Sequence, residues 1–126
     1  MVKRTIHSTQ VSETKAPYTQ GVVYDSLLFV SGQVAFDSEA GSVTAGDIEA
    51  QAAMALRNLK AVIEEAGSRM DKVLKVTVFL TDINDFARFN DIYREFFSGE
   101  LPARSCVEVS NLPFGARVEI EAIAHL

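Results

Sequence analysis

Between residues 47 and 66 the apolar side chains Ile48, Ala52, Ala55, Leu56, Leu59, Val62, Ile63 and Ala66 recur at i, i+3, i+4 and i+7, a stripe of about five helical turns. A stripe of that length on one side of a helix must be covered. The segments around it alternate apolar and polar with a period of two, so the cover is a sheet. Asp47 stands where an N-cap accepts from first-turn amides, and Gly67 where a left-handed C′ residue ends a helix.

Strands are predicted over residues 3–8, 22–24 and 27–34, with Asp25-Ser26 turning a hairpin between the last two. Residues 72–80 alternate, placing Leu74, Val76, Val78 and Leu80 on one side and Val73, Lys75, Thr77 and Phe79 on the other. A second helix follows, N-capped by Thr81 or Asp82, with an apolar face of Phe86, Phe89, Tyr93, Phe96 and Phe97 that stops at Ser98-Gly99. Strands over 103–109 and 117–124, joined through Asn111-Leu112-Pro113-Phe114-Gly115, complete the chain. The order β-β-β-α-β-α-β-β predicts an α+β sandwich in one domain spanning residues 1–126, a six-stranded mixed sheet with two helices on one face.

In the last strand Val118, Ile120, Ala122 and Ala124 can face the helices, which sends Arg117, Glu119, Glu121, Ile123 and His125 to the far side. Phe29, Val73 and Phe79 join them by the same alternation. That face is too apolar to leave wet and too charged to be a core, which is the composition of a subunit interface. A homo-oligomer is expected.

Residues 102–109 form the segment richest in chemical meaning. Alternation puts Arg104, Cys106 and Glu108 on one face and Ser105, Val107 and Val109 on the other, so the two valines can enter a core while the arginine points elsewhere. A guanidinium fork suits a carboxylate, either of a structural ion pair or of a ligand. Cys106 is the only cysteine, and the two histidines, His7 and His125, lie near opposite chain ends with no spacing that argues for a thiolate pair. The sequence has no Cys-x-x-Cys, no His-x-x-x-His, no dense acidic cluster and no phosphate-cradling glycine loop, so no metal is expected.

With 126 residues, 48% of them hydrophobic, the chain can build a core. No stretch approaches the roughly 20 apolar residues of a membrane span, and the first residues turn polar before a signal-peptide core forms. The expectation is a cytoplasmic protein without a membrane partner. A net charge of −5, with no basic run longer than Lys3-Arg4, makes nucleic acid a poor fit as partner.

Set beside Pro17-Tyr18-Thr19-Gln20-Gly21, Ser31-Gly32-Gln33 and Val118-Glu119-Ile120-Glu121-Ala122, the 102–109 segment resembles the Rid (YjgF) family of reactive-intermediate deaminases, nearest to its broad-acting imine deaminases. Ala50-Gln51, Asn84-Asp85-Phe86 and Phe89-Asn90-Asp91-Ile92-Tyr93 extend the resemblance over nearly the whole chain. It implies a chorismate-mutase-like fold, a homotrimer with clefts between neighbouring subunits, and hydrolysis of 2-imino acids such as 2-iminobutanoate and 2-iminopropanoate to 2-keto acids and ammonia without a cofactor. By the same resemblance Arg104 binds the substrate carboxylate, Glu119 holds the attacking water, and Tyr18 donates to substrate or water. Ser31, Gly32 and Asn90 border the ligand, and Cys106 lends mainly backbone groups.

Two departures bear on specificity. The connection 98–101 is shorter than in many members, and Phe36 and Phe114 bring aromatic bulk near the cleft, where larger or more apolar imino acids would be accommodated. Two other functions compete: a regulatory protein that binds carboxylate ligands without turnover, and an endoribonuclease or translation inhibitor, against which the acidic balance argues.

Overall fold

The computed structural model describes residues 2–43 and 46–126. Its strands are β1 (Arg4–Ile6), β2 (Gly21–Tyr24), β3 (Leu27–Gln33), β4 (Phe36–Asp37), β5 (Ser42–Val43), β6 (Val73–Leu80), β7 (Ala103–Glu108) and β8 (Val118–His125), with helices α1 (Ile48–Glu65) and α2 (Phe86–Phe96). Six strands pair in the order β1-β2-β3-β8-β6-β7, while β4 and β5 form a separate two-stranded ribbon. The ribbon is absent from the sequence reading, since two residues per strand are too few for alternation to register. The β6–β7 ladder is parallel and the other ladders of the large sheet are antiparallel, as the α2 crossover between β6 and β7 requires.

The helix boundaries follow their capping chemistry. The Asp47 carboxylate accepts from the Ala50 amide at 2.9 Å. Beyond Glu65, Gly67 adopts a φ of 86°, its N–H donating to Glu64 and that of Ser68 to Ile63, the paired bonds of a Schellman motif. Asp82 caps a 3₁₀ turn over Ile83–Asp85, donated to by Asn84 N at 2.9 Å, and α2 starts only after it. The turn between β2 and β3 falls at Asp25-Ser26, where Asp25 takes a φ of 57°, a region aspartate enters more readily than most residues.

Between the helices and one sheet face lies the core: Leu28, Ile48, Leu56, Leu59, Val62, Ile63, Val76, Val78, Leu80, Phe89, Val118 and Ile120 are inaccessible to solvent. No helix among the described residues is long and apolar enough to cross a membrane.

Three expectations are corrected. The β6–β8 register shifts between Val73 and Lys75, so Val73 turns inward and Leu74 is 47% exposed. A bulge breaks the period of two there, which removes Val73 from the outer face. In β7 the faces are reversed: Val107 is 44% exposed, whereas Arg104 and Cys106 turn to the helix side. The reason is the parallel register, which sets Arg104 beside buried Val76 and Cys106 beside buried Val78, while the rings of α2 offer the guanidinium faces to lie on. Arg117, read as pointing outward, instead donates from Nη2 to Asp85 Oδ2 at 2.9 Å, in a pair whose carboxylate side chain is 6% exposed. This pair ties the start of β8 to the foot of α2.

Candidate active site

On the helix side of the sheet edge, the Arg104 guanidinium carbon lies 4.6 Å from the ring centroid of Tyr93, 5.6 Å from that of Phe86 and 5.9 Å from that of Phe89. Three aromatic faces hold the planar cation without neutralising it. Among the described residues no carboxylate pairs with it. Burial pushes the Tyr93 phenol above its ordinary pKa, with Arg104 acting in the opposite sense. Asn90, Tyr93, Phe97, Pro102 and Arg104 line a cavity of about 300 Å³. The sequence reading places Tyr93 in the apolar face of the second helix and in the segment that carries the family resemblance but gives it no site role; its place three residues after Asn90, on the same helix face, is the signal for one.

Cys106 lies two residues along the same strand face, half-buried and outside the lining of that cavity. Burial raises its thiol pKa, and the nearby Arg104 charge only partly opposes this. A thiol kept protonated is a poor nucleophile.

The second cluster lies on the other face. Glu119 is paired in register with Phe79 and alternates with buried Val118 and Ile120, so its side chain leaves the sheet opposite to the core. It lines a cavity of about 370 Å³ together with Tyr18, Ser31, Gly32, Val34 and Phe114. Burial raises the Glu119 pKa above the ordinary glutamate value, and the charge of Glu121 adds to the rise.

Gly32 has a steric role here. A Cβ built on it would collide with Glu119 Oε2 and lie 2.7 Å from its Cδ, so the bare backbone of the β3 bulge makes the room in which the carboxylate rests. Ser31 is fixed beside it, its hydroxyl donating to Thr19 O at 2.6 Å and its amide to Gln20 O at 2.9 Å. The loop carrying Tyr18 is anchored by Gln20, which accepts from Ser8 N at 2.7 Å and donates to Ser8 O at 3.3 Å. Tyr18 accepts from Thr14 Oγ1 at 3.0 Å, which leaves its own O–H proton to give.

The expected site residues thus form two groups. Tyr18, Ser31, Gly32 and Glu119 converge on one cavity, and Asn90 and Arg104 on another across the sheet. One chain does not bring the cation and the carboxylate together.

The family model described as Endoribonuclease L-PSP matches residues 9–126. A protein of the conserved Rid family from Yersinia pestis superposes with a TM-score of 0.94 at 41% identity, covering 99% of this chain and 100% of that one. The chain belongs to the Rid (YjgF) family. A relative from Mus musculus, named 2-iminobutanoate/2-iminopropanoate deaminase, is 41% identical over 124 residues, 98% of this chain and 92% of its own. The Escherichia coli protein TdcF, solved with bound serine, has a TM-score of 0.90 at 40% identity, with 98% of each chain covered.

Proposed function

We propose that this Rid protein hydrolyses 2-imino acids to 2-keto acids and ammonia, in clefts that two neighbouring copies of the chain complete. What carries the reading is the division of the polar groups: an unneutralised arginine on one face of the sheet, and on the other a carboxylate of raised pKa beside a tyrosine hydroxyl. The deaminase name of the mouse relative and the serine held by TdcF, itself an α-amino acid, accord with a carboxylate-bearing ligand. A self-complementary patch cannot contain both faces of one sheet, so the contact we propose runs head to tail, the kind that builds a ring where its rotation closes. Three copies, as the family resemblance implies, make three clefts. The half-exposed Phe29 and Val107 give such a contact apolar surface.

In each cleft Arg104 clamps the substrate carboxylate with two charge-assisted hydrogen bonds and so fixes C2. The substrate enters as the protonated imine; Glu119 takes a proton from water as the water oxygen bonds to C2, while the C=N electron pair moves to nitrogen and leaves a neutral amino group. The proton held by Glu119 then passes to that amino group, the C–N bond breaks with its electron pair leaving on ammonia, and the remaining hydroxyl gives its proton to Glu119, which releases it to solvent, to form the ketone. One water enters, and one ammonia and one 2-keto acid leave. A carboxyl titrating above its usual range suits both halves of this exchange. The Tyr18 hydroxyl donates to the substrate or the water.

Coupling the protein to threonine dehydratase, with semicarbazide trapping unhydrolysed imine, tests the reading. Faster 2-ketobutyrate release with less trapped adduct is expected; no acceleration by a folded oligomer would overturn it in favour of a carboxylate-binding regulator.

The acid limb of the kcat/KM profile should follow Glu119. Because its pKa is raised, the reactive carboxylate is populated only at a pH above the ordinary glutamate range, and removing the neighbouring charge with Glu121→Gln should move that limb to lower pH. The same shift acts on folding. The protonated form is favoured in the native state, so its stabilising contribution is full below the unfolded pKa and is lost as pH rises through the folded one. A limb that stays in place in Glu121→Gln would separate it from Glu119.

A further inference from the structure

The Glu119 cavity has an apolar side that the addition of water does not use. Ala16, Val34, Pro113 and Phe114 line it beside the polar groups already described. Phe114 is 51% exposed and sits at φ 61° and ψ 20°, a left-handed conformation that is a genuine outlier for a bulky residue. Gly115 next to it, at φ 69°, continues the left-handed turn, and Phe36 braces the ring from behind, its centroid 4.4 Å away and its own side chain buried. A residue whose backbone is held in an unfavourable region while its ring is left half in water gains little for the fold. Residues kept in such conformations cluster at ligand sites.

We infer that Phe114, backed by Phe36, is the surface on which the side chain of the imino acid packs, and that the protein prefers substrates with large apolar side chains over 2-iminopropanoate. This rests on the hydrolase reading and adds a substrate class to it. The carboxylate and imine occupy the polar groups of the cleft, which leaves C3 and the atoms beyond it to the wall formed by Val34, Pro113 and Phe114. A methyl group covers almost none of that wall, whereas an isobutyl or benzyl group displaces water from the exposed half of the ring.

Imines generated in place from leucine, phenylalanine and alanine by an amino acid oxidase and dioxygen, again with semicarbazide as trap, provide the test. The ratio of kcat/KM for the leucine-derived imine to that for the alanine-derived one should be about tenfold or more, the scale on which apolar pockets discriminate. In Phe114→Ala it should fall below about threefold. Phe114→Gly suits the left-handed backbone and should give the same loss in a protein that folds at least as well. A ratio near one in the parent protein, or a preference that survives both substitutions, overturns the inference while leaving hydrolysis standing. Absence of turnover with every imine overturns hydrolysis instead. Calorimetry with 4-methyl-2-oxopentanoate and pyruvate then tests the wall alone: tighter binding of the larger acid, lost in Phe114→Gly, is expected, and equal affinities refute it.

Discussion

Arg104→Ala and Glu119→Gln proteins, each inactive by itself, should recover activity when unfolded together and refolded as a mixture. Alone, Arg104→Ala should forfeit the two charge-assisted hydrogen bonds of the proposed carboxylate clamp, each contributing about 1.5 to 3 kcal/mol, so kcat/KM is expected to fall by about 10² to 10⁴. Glu119→Gln keeps the side-chain volume but removes the proton acceptor, a loss on the order of 10² to 10⁴. The two changes lie on opposite faces of one sheet. In a head-to-tail ring assembled at random from equal amounts, about a quarter of the clefts pair an intact arginine from one chain with an intact glutamate from the next. Activity should therefore return to about a quarter of the parent value. A mixture no more active than its components, at the same oligomeric state, would mean that the cation and the carboxylate serve different sites.

Gly32→Ala should lower kcat/KM by about 10², the cost of displacing a reacting group by an ångström or so. The added methyl would occupy the space of the Glu119 carboxylate, and relief requires the acid to swing away or the bulge to shift. Placing the same change in the Glu119→Gln background distinguishes a catalytic from a structural cause, because two substitutions acting through one group do not add. Little further loss is expected there. A full additional loss would instead place the damage in the strand or the subunit contact, and thermal unfolding of the single variant would locate it.

The parts of this architecture written in local chemistry were legible beforehand. Asp47 and Gly67 mark the ends of the longer helix, and the alternation of Val118, Ile120, Ala122 and Ala124 identifies the buried side of β8. Alternation also turns Glu119 away from the helices, although it cannot reveal the space beside Gly32. What escaped depends on neighbours remote in sequence. Leu74 reads as a regular strand residue, and only its pairing with β8 exposes the extra residue. For β7, alternation separates Arg104 from Val107 but does not say which side faces the helices, because an edge strand can present either. Register with β6 and the rings of Phe86, Phe89 and Tyr93 make that choice. The pair of Arg117 with buried Asp85 likewise joins two residues 32 positions apart, and no local pattern announces it.

The way Arg104 is held has a kinetic consequence. A guanidinium latched to an acid of its own chain must be released before a ligand can use it, so capture would wait on the opening of that latch. Arg104 is oriented by ring faces instead, with no intramolecular carboxylate among the described residues to compete for its donors. In the cleft proposed above, an arriving carboxylate would therefore meet no acid of the same chain to displace among the described residues.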